Sequence, residues 1–341
     1  MLDLLKSRFT FKRVLSLLAI VASLLWLTIF SFPDNKLHLI FCDVGQGDAT
    51  LITKGFEQIL IDGGPNDKVL QCLSSNMPFF DKTIEIIALT HPEADHMTGL
   101  LSVLDKYQVE YFLTGPERNE SAGYQELVRK VLGAEDTKIL SAESEESVNG
   151  INIKNPYAGE KIRLGEIELK TWWPEREWVA DRLDVGNEKL EAGLGNEKLE
   201  NTITPLTSNS SFPLQTSHFI LGAKTTHAKL NDFSLVFLLN YKNKKILLMG
   251  DADLQIQDDI AKAISGWQLA ISEIDILKFP HHGSKTGMLP TFLEKIQPKE
   301  AVISVGKNSY GHPTKEALEL LEKYGVKARR TDLEGEIKYS F

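Results

Sequence analysis

Cysteine is nearly absent: Cys42 and Cys72 are the only two in 341 residues, so a metal site built on thiolates is excluded. In an oxidising exterior the two could pair. Cys42 follows Leu39, Ile40 and Phe41 in an apparent strand, however, so buried free thiols are the expectation, and lipoprotein processing at Cys42 is not expected. A surplus of positive charge is also lacking, with 38 basic against 47 acidic side chains. Setting aside residues 1–37, which hold five basic and two acidic groups, leaves 33 against 45, a formal charge of about −12. That balance argues against tight, nonspecific binding of a polyanion, although metal ions or a local basic patch can reverse the field where it matters. Disorder is not expected at 42% hydrophobic and 25% charged residues; the length suits one large α/β domain.

Charge is missing altogether from Val14 to Phe32, a run of 19 residues preceded by Lys6, Arg8, Lys12 and Arg13. As a helix it would span roughly 28 Å, close to a bilayer core. The basic flank should stay in the cytoplasm and the remainder of the chain outside. A cleaved signal peptide is the rival reading. The run is long for one and no small-x-small site follows it, so residues 1–35 are expected to form an uncleaved signal anchor and 36–341 the folded domain.

What is present is an alternation of strands and helices. "KLHLIFCDVGQGDATLI" and "QILIDGG" read as strands around glycine turns, and "IEIIALT" is an apolar run of strand length. Helical spacing begins at Met97, which makes the preceding segment a strand-end loop facing a crevice. Around 181–217 the texture changes: "GNEKLE" occurs twice, nine residues apart, before a Ser-, Thr-, Asn- and Pro-rich stretch, which reads as a flexible surface insertion without chemistry of its own. Beyond it come "FSLVFLLNY", "KKILLMGDAD", "EIDILKFPHHGSK" and "AVISVGKNSYGHP". A last helix should have Pro313 at its first position and Gly325 just past its end.

His91, Asp95, His96, Asp251, His281 and His282 each follow an apolar strand or its loop. A lone histidine there would ordinarily be a hydrogen-bonded structural residue. Six such groups after three strands point to a metal site of imidazole and carboxylate, suited to zinc, manganese or iron.

Taken in order, "DVGQGDA", "LIDGG", "THPEADHMTGL", "LMGDAD", "LKFPHHGSKTG" and "NSYGHPT" resemble the metallo-β-lactamase superfamily, and within it the hydrolase domain of ComEC-like competence proteins. Within these 341 residues one helix is expected in place of the multi-spanning channel part of those proteins. The resemblance implies an αββα metallo-β-lactamase sandwich, here preceded by one transmembrane helix, with one or two divalent ions, Mn2+ or Zn2+, at one edge. It implies that Asp95, His96, Asp251 and one of His281 and His282 form a complete site, and that His91 and Asp251, with Glu93 as an oxygen donor, form a second. Glu93 stands where the motif has its middle histidine, and the usual third histidine gives way to Leu230, Asn231 and Asp232; His227 is near in sequence but out of register. The second site is thereby poorer in imidazole and richer in oxygen, which favours manganese or magnesium over zinc.

The chemistry implied is hydrolysis by a water that the ion acidifies. Asp95 would orient that water or serve as a plain ligand, and whichever of His281 and His282 is not a ligand would protonate a leaving oxygen or simply pack. Asp43 and Asp62 would brace the ligand loops, or merely form turns. Ser284, Lys285, Tyr310 and His312 would seat a phosphate ahead of a helix N-terminus, with a neighbour of the helix cap as the alternative for His312. Trp172 and Trp173 would stack bases or fill core. The function expected is an extracytoplasmic, metal-dependent phosphodiesterase or nuclease acting on DNA in uptake, working with a separate channel protein. A hydrolase of another anionic ester, such as a cell-wall phosphodiester or a nucleotide, and a catalytically weak binding module for nucleic acid or protein are the alternatives.

Overall fold

The computed structural model describes residues 13–23, 26, 32–133, 140–142, 150–184, 219–221, 223–225, 228–266 and 274–341. Most of the expected insertion, and His227, lie outside these residues. Residues 13–23 are helical (α1) and exposed throughout. Among the described residues no helix is long and apolar enough to cross a membrane; the expected span, Val14 to Phe32, falls partly outside them.

The first half runs β1 (Leu37–Phe41), β2 (Thr50–Lys54), β3 (Glu57–Ile61), α2 (Lys68–Asn76), β4 (Thr83–Leu89), α3 (Ala94–Leu104), β5 (Gln108–Thr114), α4 (Ala122–Leu132), β6 (Leu140–Ala142) and β7 (Asn152–Lys154). The second runs β8 (Lys161–Leu164), β9 (Ile167–Trp173), α5 (Arg176–Ala180), β10 (Leu183–Asp184), β11 (Phe219–Leu221), β12 (Lys224–Thr225), β13 (Val236–Tyr241), β14 (Lys244–Leu248), α6 (Leu254–Gly266), β15 (Ile276–Lys278), α7 (Pro290–Ile296), β16 (Glu300–Ile303), α8 (Lys315–Lys323), β17 (Lys327–Arg330), α9 (Thr331–Glu334) and β18 (Ile337–Ser340). Two seven-stranded mixed sheets result, ordered β18-β1-β2-β3-β4-β5-β7 and β17-β16-β15-β14-β13-β9-β8.

Side-chain alternation assigns the faces. In β1, Leu37, Leu39 and Phe41 enter the layer between the sheets with Phe237, Leu239, Ile246 and Val302, while Ile40 joins Leu73, Leu100 and Leu127 beneath α2, α3 and α4. On the outer face of the second sheet, Leu247, Leu277 and Ile303 pack with Ile260, Phe292 and Leu321 of α6, α7 and α8. Helices thus cover both outer faces of two stacked sheets. Each large apolar side chain fully buried this way stabilises the fold by about 1.5–3 kcal/mol.

Three expectations are corrected here. Cys42 and Cys72 form a disulfide, because α2 lies against the end of β1 and brings their Cα atoms to 5.8 Å. The helix expected from Met97 begins at Ala94, so Asp95 and His96 belong to its first turn, where the negative charge of Asp95 suits the helix dipole. Pro313 precedes the cap residue Thr314 of α8 rather than opening the helix, while Gly325 does lie just past its end, with φ +69°. Trp172 and Trp173 are core residues of the second sheet.

Beyond β5, Glu117 is 1% exposed and neither carboxylate oxygen has a hydrogen-bond partner. Burial pushes its carboxyl up from 4.5 to about 8. The stability this group contributes is therefore present below pH 4.5 and lost as pH rises through about 8. Glu117→Gln should raise stability at pH 8.5 by roughly 2–4 kcal/mol relative to wild type and change it far less at pH 5, read by denaturant titration at both pH values. Serine at both positions 42 and 72 should cost about 2–4 kcal/mol in the same assay; a cost near zero would contradict the bridge.

Candidate metal centre

The C-terminal ends of β1, β3, β4, β14, β15 and β16 meet at one edge of the sandwich, and the polar residues of the loops that follow converge there. From the first sheet come Asp95 and His96 on α3. From the second come Asp251 after β14 and His282 after β15. One ligand atom from each of these four lies within 4.8 Å of every other.

Second contacts set the imidazole tautomers. His96 Nδ1 donates to Asp62 Oδ2 at 2.8 Å, which turns Nε2 toward Asp251, 3.3 Å from its Oδ1. His282 Nδ1 donates to the Ser304 carbonyl at 3.0 Å, and its Nε2 lies 3.2 Å from Asp95 Oδ2 and 3.5 Å from Asp251 Oδ2. Asp62 is itself held by Thr90, whose backbone N–H and hydroxyl reach its two oxygens at 2.7 and 2.8 Å.

The local backbone is bent to deliver these groups. Among the described non-glycine residues, five have positive φ, and three of them, Asp62, His281 and His282, lie in this cluster. Gly47 is needed for closeness: a Cβ there would stand 2.2 Å from the Asp95 carbonyl, which accepts the backbone N–H of Asp48.

The electrostatics are those of a site that attracts positive charge. Burial opposes a charged His282, but Asp251 and Asp48 prevail and push its pKa up to about 10. His96 is likewise raised against burial, by Asp251 and then Asp62. Burial also disfavours ionised Asp251, yet His282 and His96 hold its carboxyl well below the usual range.

A divalent cation fits this donor set. Nε2 of His91, Nε2 of His96 and Oδ1 of Asp251 are buried without a hydrogen-bond partner, although the last two are only 3.3 Å apart. Each such polar atom would cost about 1–3 kcal/mol if nothing else engaged it. Asp95, His96, Asp251 and His282 are the residues that would hold the ion.

The other expected ligands fall outside the four. His91 is fully buried with its ring tilted against that of His96, centroids 4.1 Å apart, while Glu93 has 39% of its side chain exposed and lies 3.9 Å from His91 Nε2. Of the histidine pair left open by the sequence, His282 joins the four, while His281 has its Nδ1 on Asp253 at 3.0 Å. Asp43 is corrected as a brace, since it is exposed and accepts only the backbone N–H of Gly45 within the same turn. Ser284 is 7% exposed with its hydroxyl on Thr286, so it offers little to a substrate, whereas Lys285 is exposed. Tyr310 is 73% exposed; the His312 ring lies 5.8 Å from it and 5.7 Å from His281, with a buried, unpartnered Nδ1.

Several participants were not singled out from the sequence. Asp48, the second aspartate of "DVGQGD", forms a buried ion pair with Lys278 and approaches His282 Nδ1 at 3.4 Å. Lys278 and His282 hold its carboxyl down at about 2 despite burial. A lysine inside the apolar run "ILKFP" was the available signal. Ser234 bonds His91 Nδ1 at 3.2 Å and accepts the Asp251 N–H, close in sequence to where the third histidine was sought.

The metallo-beta-lactamase superfamily model matches residues 42–307, which include all four cluster residues. The chain belongs to that superfamily. This metallo-beta-lactamase superfamily member is 23% identical over 340 residues to ComE operon protein 3 of Bacillus subtilis, covering 92% of this chain and 34% of that protein. It is 29% identical over 145 residues to Recombination protein 2 of Haemophilus influenzae, covering 42% of this chain and 18% of that one. The chain thus spans about a third or less of the length of these curated relatives. Among solved structures, the metallo-beta-lactamase fold protein YhfI from Bacillus subtilis aligns over 89% of this chain and 100% of its own at 10% identity, with a TM-score of 0.46.

Asp62→Asn should weaken Mn2+ or Zn2+ binding about 10–100-fold by calorimetry, because it loosens the His96 tautomer, while Asp43→Asn should leave affinity unchanged. Equal effects of the two substitutions would refute the bracing geometry.

Proposed function

We propose that this superfamily member is a metal-dependent phosphodiesterase that cleaves DNA outside the cytoplasm. In this reading it is tethered by residues 1–35 and serves DNA uptake beside a separate channel protein. The observation that carries the hydrolytic part is the convergence of Asp95, His96, Asp251 and His282 at one sheet edge, with acceptors left open toward a cation.

A divalent ion held there, manganese or zinc, would supply a Lewis acid that polarises a phosphoryl oxygen and acidifies a water. The residues divide the remaining work. Asp95 is the one cluster side chain with substantial exposure, at 32%, so it can orient a water at the mouth and accept its proton. Asp251 is buried between both imidazoles and supplies fixed negative charge. His281 is raised in pKa: burial opposes the charge, but its hydrogen bond to Asp253 and the nearby Asp251 carboxylate prevail, so it can hold a proton for a leaving oxygen. His312 is lowered by burial and by His281 and His282, which suits a neutral hydrogen-bonding partner rather than an acid.

Two features support an exterior setting. A disulfide persists in oxidising compartments, and Cys42 and Cys72 are joined. Helix α1 exposes Val14, Leu15, Leu17, Leu18, Ile20 and Val21 together, as a segment in lipid would. The likeness to Recombination protein 2 of Haemophilus influenzae, and over 95 residues to Competence protein ComA of Neisseria gonorrhoeae, supports DNA as the substrate. The acidic balance favours a second reading, a small anionic phosphodiester in place of DNA.

The purified full chain should cleave single- or double-stranded DNA when Mn2+ or Zn2+ is added, and Asp251→Ala should lose about 100-fold or more of that rate. Turnover of bis(p-nitrophenyl) phosphate without DNA cleavage would select the second reading. No cleavage of either with any divalent ion would sink the hydrolase proposal.

A further inference from the structure

Four phenylalanines on three separate segments gather at the end of the first sheet opposite the metal cluster. Phe32 precedes β1, Phe56 sits at the β2–β3 turn, and Phe79 and Phe80 lie in the loop between α2 and β4. Their exposures are 60%, 44%, 65% and 44%. The rings contact one another: Phe32 to Phe56 at 6.0 Å, Phe32 to Phe80 at 5.9 Å, Phe56 to Phe80 at 6.1 Å and Phe79 to Phe80 at 5.2 Å between centroids. Turn tips are ordinarily polar, and an exposed aromatic cluster marks an interaction surface.

We propose that Phe32, Phe56, Phe79 and Phe80 form a foot that seats in the interfacial zone of a lipid bilayer, holding the domain upright with its metal cluster facing away from the membrane. The inference rests on the reading of residues 1–35 as an anchor, and deepens it. Continuity names the occupant: Phe32 is the last residue of the charge-free run that begins at Val14, so chain leaving a bilayer arrives at this patch. Aromatic and apolar side chains are the ones that partition into that zone.

Register sets the orientation. Leu37 pairs with Lys54 and Lys54 with Glu57, so the start of β1, the end of β2 and the start of β3 share the patch end with the start of β4. Asp62, His91 and His96 follow the opposite strand ends. The length of β4 separates the two by roughly 20 Å. The rim carries both signs, with Asp34, Lys36, Asp81 and Lys82, so the contact is apolar and needs no anionic headgroup.

The test uses the full chain in vesicles. Because Cys42 and Cys72 are bonded, Phe79→Cys introduces a single reactive thiol for a nitrobenzoxadiazole label, and Lys285→Cys places the same label at the opposite end. In phosphatidylcholine vesicles, with or without phosphatidylglycerol, doxyl lipids labelled near the headgroup should quench the Phe79→Cys label about twofold and the Lys285→Cys label hardly at all. Flotation of the vesicles reports the anchor separately. Flotation without quenching at Phe79→Cys overturns the foot and leaves the anchor standing; failure to float overturns both. A label shielded from water but not quenched by lipid, in a sample that sediments as a dimer, assigns the patch to a second copy and also overturns the proposal.

Discussion

Asp251 is a carboxylate 2% exposed at the seam of two sheets, and the site is arranged around satisfying it. A buried charge of that kind is tolerated only when opposite charge surrounds it. His96 reaches it from the first sheet and His282 from the second. Asp62 and Asp48 stand behind those imidazoles, and Lys278 behind Asp48. The chain of alternating charge crosses the sandwich, so the geometry of the centre depends on the packing of both sheets.

The same alternation accounts for chemistry. Carboxylates that draw protons onto His96 and His282 would favour any cation of suitable size, and a divalent ion would displace those protons. The departures from the family pattern leave this set intact, for they fall on Glu93 and the segment 230–232, beside His91 at its flank. His91 keeps its place through Thr90 and Ser234, with its Nε2 open. Ser234 also binds the backbone of Asp251, so the altered flank remains mechanically coupled to the intact centre.

Legibility in the sequence followed from how local each signal is. The strand-end positions of His91, Asp95, His96, Asp251 and His282 could be read because apolar runs and the turns after them are local patterns. Asp62 was legible for the same reason. The choice between His281 and His282 was not, because both residues have φ 51° and only the turn's orientation sends one ring to Asp251 and the other to Asp253. Asp43 and Asp48 share one motif, and nothing local tells the exposed turn former from the buried partner of Lys278. The two cysteines, 30 residues apart, were misread because their approach depends on how α2 lies on the sheet.

By itself, the sequence determined the alternation of strands and helices, the acidic balance, the charge-free N-terminal run and the set of residues able to bind a cation. Those are properties of composition and short-range periodicity. Tertiary structure alone decided which of those residues meet, because a distance between side chains on two sheets is set by sheet packing. It also decided that Phe32, Phe56, Phe79 and Phe80 share one surface, since strand register gathers turns that are far apart along the chain.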